Sequence, residues 1–265
     1  MRTQIETVTP DRAKRDLENP KNDNYRNLDM RAAHAYAEVM RRGEWEENGE
    51  SISYNCDGSL VDGQTRLMAC VLADVPFTTV VVYGVVSDAN INTGRKRLIG
   101  DLLKRMGEKN VKELSGALGW LVRVERGQLH TDGGYGIIPH SEYLRTLKKH
   151  PGIRQCVEYC KRLNHSVGKT AMMSMLLYQF RQKDAPLADW FVDKLDSGAG
   201  LGENEPVYRL RERFLADQLA KAKLRKSEMC ALAIIAWNTT RQGRQVKNLR
   251  WIAAGRSAME FPTVE

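Results

Sequence analysis

Apolar positions in the first third of the chain fall into short, interrupted groups, whereas those of the last two thirds recur with a helical period. Ser51 to Tyr54 reads as a short extended run, Asp57-Gly58 as a turn, and Leu60-Val61 as a second extended piece. Leu67 to Ala73 then reads as a buried helix and Phe77 to Val82 as a buried strand. Ahead of this unit, Met30 to Arg42 places Ala33, Ala37 and Met40 on one stripe with Tyr36, and Gly43 closes that helix. Pro10-Asp11 opens a shorter polar helix that Asn19-Pro20-Lys21-Asn22 ends. These elements make a compact α/β module ending near Val86.

After a polar junction, Asn92-Thr93-Gly94-Arg95-Lys96-Arg97, a helix carries Leu98, Ile99, Leu102, Leu103 and Met106. From Val111 onward the period is helical, with segments at Glu113–Leu129, Ser141–Lys149, Ile153–Arg162, Thr170–Lys183, Leu187–Leu195, Pro206–Leu219 and Ser227–Asn238. Breaks fall at the glycine cluster 131–136, at His150-Pro151-Gly152 and at the glycine-rich stretch 197–202. None of these clusters follows a strand, so none reads as a dinucleotide loop. Gly168-Lys169-Thr170 looks like the end of a P-loop, but Leu163 stands where the earlier glycine is required.

Candidate chemistry concentrates at the first strand-to-helix junction, Asp62-Gly63-Gln64-Thr65-Arg66-Leu67. A glycine lets backbone approach an anion, the N–H groups that open a helix supply donors, and Arg66 adds a permanently charged fork. The plainer account is that Asp62 caps the helix and Arg66 lies in solvent. At the second junction, Arg95, Lys96 and Arg97 crowd positive charge at a helix start, which an anion would relieve; the alternative is that all three are solvated.

The chain has 265 residues, enough for two domains, and 41 Lys plus Arg against 33 Asp plus Glu leave a formal charge of +8. That balance points to an acidic partner, most commonly nucleic acid. Much of the excess lies between Lys221 and Arg256, where Lys221, Lys223, Arg225, Lys226, Arg241, Arg244, Lys247, Arg250 and Arg256 are opposed only by Glu228. Trp237 and Trp251 are interleaved with them. Two arrangements fit: tryptophans stacking on exposed bases beside phosphate-neutralising cations, or tryptophans anchoring terminal helices with the bases around them. The start of the chain lacks the apolar core of a signal peptide, and no apolar stretch is long enough to span a bilayer, so a cytoplasmic protein without membrane contact is expected. Five scattered cysteines are poor material for a disulfide framework and fit a reducing compartment. Cys156 and Cys160, with His165 beyond, offer only three candidate ligands, so no metal site is assigned.

The ordered blocks carry one further signal. Asp62-Gly63-Gln64-Thr65-Arg66-Leu67, preceded by Met40-Arg41-Arg42-Gly43-Glu44-Trp45 and Asp57-Gly58 and followed by Asn92 to Arg97, resembles the ParB/sulfiredoxin-like superfamily over roughly Val8 to Met106. Within it the likeness is to phage and mobile-element proteins with an aspartate-glycine-glutamine-histidine-arginine box. The resemblance implies an α+β chain: a small mixed sheet with helices over residues 1–106 that receives nucleotide phosphates, followed by a mainly helical basic domain over 107–265. It further implies a nucleoside triphosphate with Mg2+ as ligand. Asp62, Gly63, Gln64, Thr65 and Arg66 would form the phosphate site, with Arg95 and Arg97 beside it. On the charge pattern, rather than the resemblance, Arg241, Arg244, Lys247 and Arg250 would contact DNA, RNA remaining open, and a homo-oligomer is compatible with this scheme.

Thr65 departs from the histidine of such boxes and cannot act as a general base near neutral pH, so phosphate binding survives the change more easily than catalysis. Asn92 likewise stands where relatives often have an acid. No cysteine lies at the box, which disfavours sulfiredoxin chemistry. No catalytic residue is therefore assigned beyond Asp62 as a weak candidate, with Asp57, Glu44 and His34 as further polar groups. Two alternatives stay open: a metal-dependent nuclease or nucleotide hydrolase using carboxylates around Asp62, and a non-catalytic scaffold or inhibitor that binds a protein partner.

Overall fold

In a computed structural model of the chain, the described residues are all except 23–26, 87–97, 133–135, 164–167, 169 and 254–257. They form a mixed α+β structure in two compact units, Met1–Lys96 with Gly136–Ser141, and Arg97–Tyr135 with Glu142–Glu265.

The first unit is built on a four-stranded mixed sheet of β1 (Arg2–Val8), β2 (Ser51–Asn55), β3 (Leu60–Asp62) and β4 (Phe77–Val85), in the order β1-β4-β2-β3. β4 runs parallel to β2 and antiparallel to β1, while β2 and β3 form the antiparallel pair around the Asp57-Gly58 turn. β1 has no counterpart in the hydrophobic pattern. Its residues 2–5 are all exposed and only Val8 is fully buried, as suits a polar edge strand. Its ladder nonetheless runs in unbroken register from Arg2 opposite Tyr83 to Val8 opposite Phe77.

Three helices complete this unit. Helix α1 (Pro10–Leu17) starts where Thr9 accepts a hydrogen bond from the Arg12 N–H and Pro10 supplies a preset φ. Helix α2 (Met30–Arg41) is capped by Asp29, which accepts from the Ala32 N–H at 3.0 Å. Helix α3 (Gln64–Ala73) begins three residues earlier than its apolar run and packs against α1 and α2. Ala37, Met40, Ile52, Leu60, Leu67, Cys70, Phe77 and Val81 fill the core. Burying such side chains contributes about 1.5–3 kcal/mol for each large aliphatic or aromatic group.

The second unit is helical among its described residues: α4 (Ile99–Arg105), α5 (Val111–Glu125), α6 (His140–Lys149), α7 (Ile153–Cys160), α8 (Thr170–Arg181), α9 (Ala185–Ser197), α10 (Pro206–Leu219) and α11 (Lys226–Arg241). Helix α6 is the element whose first residues are grouped with the other unit. Helix α8 is apolar on most of its circumference and packs against α5, α7, α9 and α11. Its Phe180 stacks on Trp237 of α11 with ring centroids 4.3 Å apart, and Phe191 of α9 meets both rings edge-on. Gly116 of α5 lets α8 approach so closely that a Cβ there would lie 2.8 Å from the Ala171 methyl. Leu103 of α4 is buried in this helical core with Leu114 and Leu118, so α4 belongs to the second unit, as the module end near Val86 allows, whereas the resemblance implied a first module extending to residue 106. Asp132 caps α11 from a distance, accepting from the Ser227 N–H at 2.8 Å and its hydroxyl at 2.7 Å.

Candidate functional site

The turn between β3 and α3 is shaped by two requirements that glycine alone meets. Gly63 has φ of +107°, and a Cβ at that position would lie 3.0 Å from Ile52 Cγ1 and 3.2 Å from Ile52 Cα on β2. Glycine is thus fixed here by strand packing as well as by backbone freedom. Its carbonyl accepts from the Arg66 and Leu67 N–H groups at 2.9 and 3.0 Å and starts the helical ladder. Gly63 has no side chain with which to cap α3, and the Thr65 N–H meets no acceptor among the described residues. Thr65 and Gln64 are half-buried. Asp62 therefore does not cap the helix, the plainer role open to it in the sequence.

Arg66 does not lie in solvent. The guanidinium is buried, with one-tenth of the side chain exposed, and Nη2 donates to the Ser51 carbonyl at 2.8 Å and to Asp62 Oδ2 at 3.3 Å. One arginine thus ties the first residue of β2 to the last residue of β3 and to its own helix. Nη1 lies 3.8 Å from Glu50 Oε2 and makes no hydrogen bond. An unpaired donor on a buried cation costs on the order of 1–3 kcal/mol unless something accepts from it. Asp62, Gly63, Gln64, Thr65 and Arg66 are brought together here, and Arg95 and Arg97 lie outside the described residues.

The other polar candidates have separate duties. Asp57 accepts from the Ser59 N–H and hydroxyl at 3.0 and 2.7 Å, and these bonds hold its carboxyl below the usual range while they close the β2–β3 turn. His34 is on the exposed face of α2, and Glu44 follows the end of that helix.

A second polar cluster in the same unit has no signature in the sequence, because its members are spread over four elements. Arg12 donates to Glu6 at 2.6 Å and to the Tyr83 hydroxyl at 2.9 Å, and Tyr83 bonds Glu6 in turn. Tyr54 donates to Asp16 at 2.6 Å and stacks on Tyr83 with centroids 5.4 Å apart. Burial, then the bond to Asp16, pushes the Tyr54 phenol well above its ordinary value. This network joins α1 to the sheet, and its members satisfy one another.

In the helical unit Trp237 and Trp251 are core anchors, not stacking platforms. Trp237 is fully buried and its indole donates to the Glu265 carbonyl at 3.3 Å; Trp251 is buried against Phe261 and donates to the Glu260 carbonyl at 3.2 Å. Of the cations between them, Arg241 lies over the Trp237 ring with its guanidinium carbon 6.0 Å from the centroid. Arg241, Arg244, Lys247 and Arg250 are exposed, and none forms an ion pair with a described residue. The cysteines are free, and Cys156 and Cys160 are buried in the helical core, where desolvation pushes the Cys160 thiol up to about 12. His165 lies outside the described residues, and no group of three or more His, Cys, Asp or Glu among the described residues is placed to hold a metal ion. No helix is long and apolar enough to cross a membrane among those residues.

No family model, curated protein or solved structure matches the chain.

Proposed function

We propose that this chain is a DNA-associated protein of the ParB/sulfiredoxin-like kind whose β3–α3 turn receives the phosphates of a nucleotide. The observation that carries the reading is a pair of donors without acceptors among the described residues at one strand-to-helix turn: the Thr65 N–H in the first turn of α3, and Nη1 of the buried Arg66. A phosphate supplies what both lack, namely negative charge at a helix N-terminus and an oxygen for a guanidinium. Arg66 has a double role in this reading, holding the turn through Nη2 while Nη1, buried beside Glu50, keeps no hydrogen-bond acceptor. The exposed Arg244, Lys247 and Arg250 support the DNA part, since positive charge without an ion-pair partner among the described residues attracts a polyanion.

The donors fit phosphate better than they fit a metal ion. Mg2+ takes oxygen ligands, and the carboxylate at the turn, Asp62, already accepts from Arg66. Any magnesium would accordingly be carried by the phosphates of the nucleotide, and no protein-held metal enters the reading.

Calorimetry with each nucleoside triphosphate, with and without magnesium, tests the turn. Thr65→Glu is the informative variant. A carboxylate in the first turn favours the helix through its dipole, yet repels a phosphate at the same place. Expected are wild-type thermal stability and at least a tenfold loss of nucleotide affinity; wild-type affinity in the variant, or no heat from the wild type with any nucleotide, removes the nucleotide part.

A further inference from the structure

The segment that follows α11 has a period that neither an α-helix nor a strand would give. Arg244-Gln245-Val246, Lys247-Asn248-Leu249 and Arg250-Trp251-Ile252 repeat a triplet of basic, variable and apolar residues three times. The structure sorts the triplets by side. Val246, Leu249 and Ile252 are half-buried, with Leu249 packed against the helical core, whereas Arg244, Lys247 and Arg250 are exposed. A three-residue step in a chain without helix or strand spans at most about 10 Å. The cations therefore recur every third residue, at short steps, on the exposed side of one segment.

The segment is also anchored. The Val246 N–H donates to the Asn204 carbonyl at 2.8 Å, and Trp251 fixes the far end through its bond to the Glu260 carbonyl. Such anchoring lowers the entropy lost when the cations engage a partner. Glu203 and Glu205 flank Asn204 and are the opposing charges next to this anchor in sequence; neither is ion-paired with a cation of the segment.

We propose that Arg244, Lys247 and Arg250 form a ridge that binds the phosphate backbone of a nucleic-acid duplex without reading its sequence. This rests on the DNA-associated reading above and specifies its surface. Backbone contact is favoured over single-strand binding because the segment's tryptophan is turned into the core, leaving cations with no aromatic platform for an unpaired base. Closely spaced cations on an anchored segment suit a rigid, uniformly charged rod.

Fluorescence anisotropy with the full chain tests the ridge, using two duplexes of unrelated sequence and one of their single strands at stepped salt. Each neutralised phosphate contributes a slope of about −0.9 to the log–log salt dependence, so Arg244→Gln/Lys247→Gln/Arg250→Gln flattens it by about 2.7. Equal affinity for both duplexes and no preference for the single strand are expected, and Glu203→Gln tightens binding. A wild type that binds no duplex at any salt defeats the DNA reading and the ridge together. A wild type that binds while the triple variant keeps its slope defeats the ridge alone. A tenfold preference for the single strand, or binding only to anionic lipid vesicles, also overturns the proposal.

Discussion

The β3–α3 turn and the segment after α11 each combine arginine with neighbours suited to binding, and they use the arginine in opposite ways. At the turn the cation is committed: Arg66 is buried, bonded to Ser51 and Asp62, and has one donor left over. After α11 the cations are uncommitted, and the aromatic residues are the ones spent on packing. Residue type therefore does not tell which groups are available to a partner. What decides it is whether the fold has already used the side chain's hydrogen bonds and surface.

The sharpest way to break this contrast is to remove a committed aromatic. Trp237→Ala takes away a ring stacked on Phe180 and leaves a large cavity, so chemical denaturation should show a loss of about 4 kcal/mol. A loss below a quarter of that would mean the indole is not a core anchor. Next in size is Arg66→Ala, which orphans the Ser51 carbonyl and leaves the Asp62 carboxylate unpaired. About 3 kcal/mol is expected, seen as earlier unfolding of the α/β unit, whereas a surface arginine would register almost nothing.

A third test uses pH on the tyrosine network. The folded-state pKa of Tyr54 is raised above the ordinary value of 10.0, so its contribution is complete below that pH and is lost as pH climbs through the folded value. Stability followed from pH 9 upward should fall more steeply in the wild type than in Tyr54→Phe; parallel curves would remove Tyr54 from the account. The smallest effect belongs to the ridge. Arg244→Ala should change stability by no more than about 0.5 kcal/mol while lowering the duplex salt slope by about 0.9. A destabilisation comparable to that of Arg66→Ala would show the two regions to be alike after all.

Much of the architecture was legible from spacing alone. The alanine stripe of α2, the buried run of α3, the valine-rich β4 and the helical remainder all follow periodicities that the structure retains. β1 was not legible, because Arg2-Thr3-Gln4-Ile5 has the composition of a loop and becomes a strand through its ladder with β4. At the candidate site, Gly63 was legible as a glycine that matters, but its cause lies in Ile52, eleven positions earlier and on another strand. The inward turn of Arg66 could not be foreseen, since nothing local says that the Ser51 carbonyl will arrive within reach. For the tryptophans sequence left two arrangements standing, and packing against Phe180 and Phe261 selects between them.

The cap that Asp132 places on α11 has a kinetic side. Ser227 receives it across 95 positions of chain, so the first turn of the helix that leads into the ridge is completed only after that loop has closed. The logarithmic part of the closure entropy is about 4 kcal/mol for such a loop, a cost met before the cap returns anything. The cap therefore stabilises α11 only once residues 132 and 227 have been brought together. A fragment beginning after Asp132 would start α11 without that partner, however intact its own sequence.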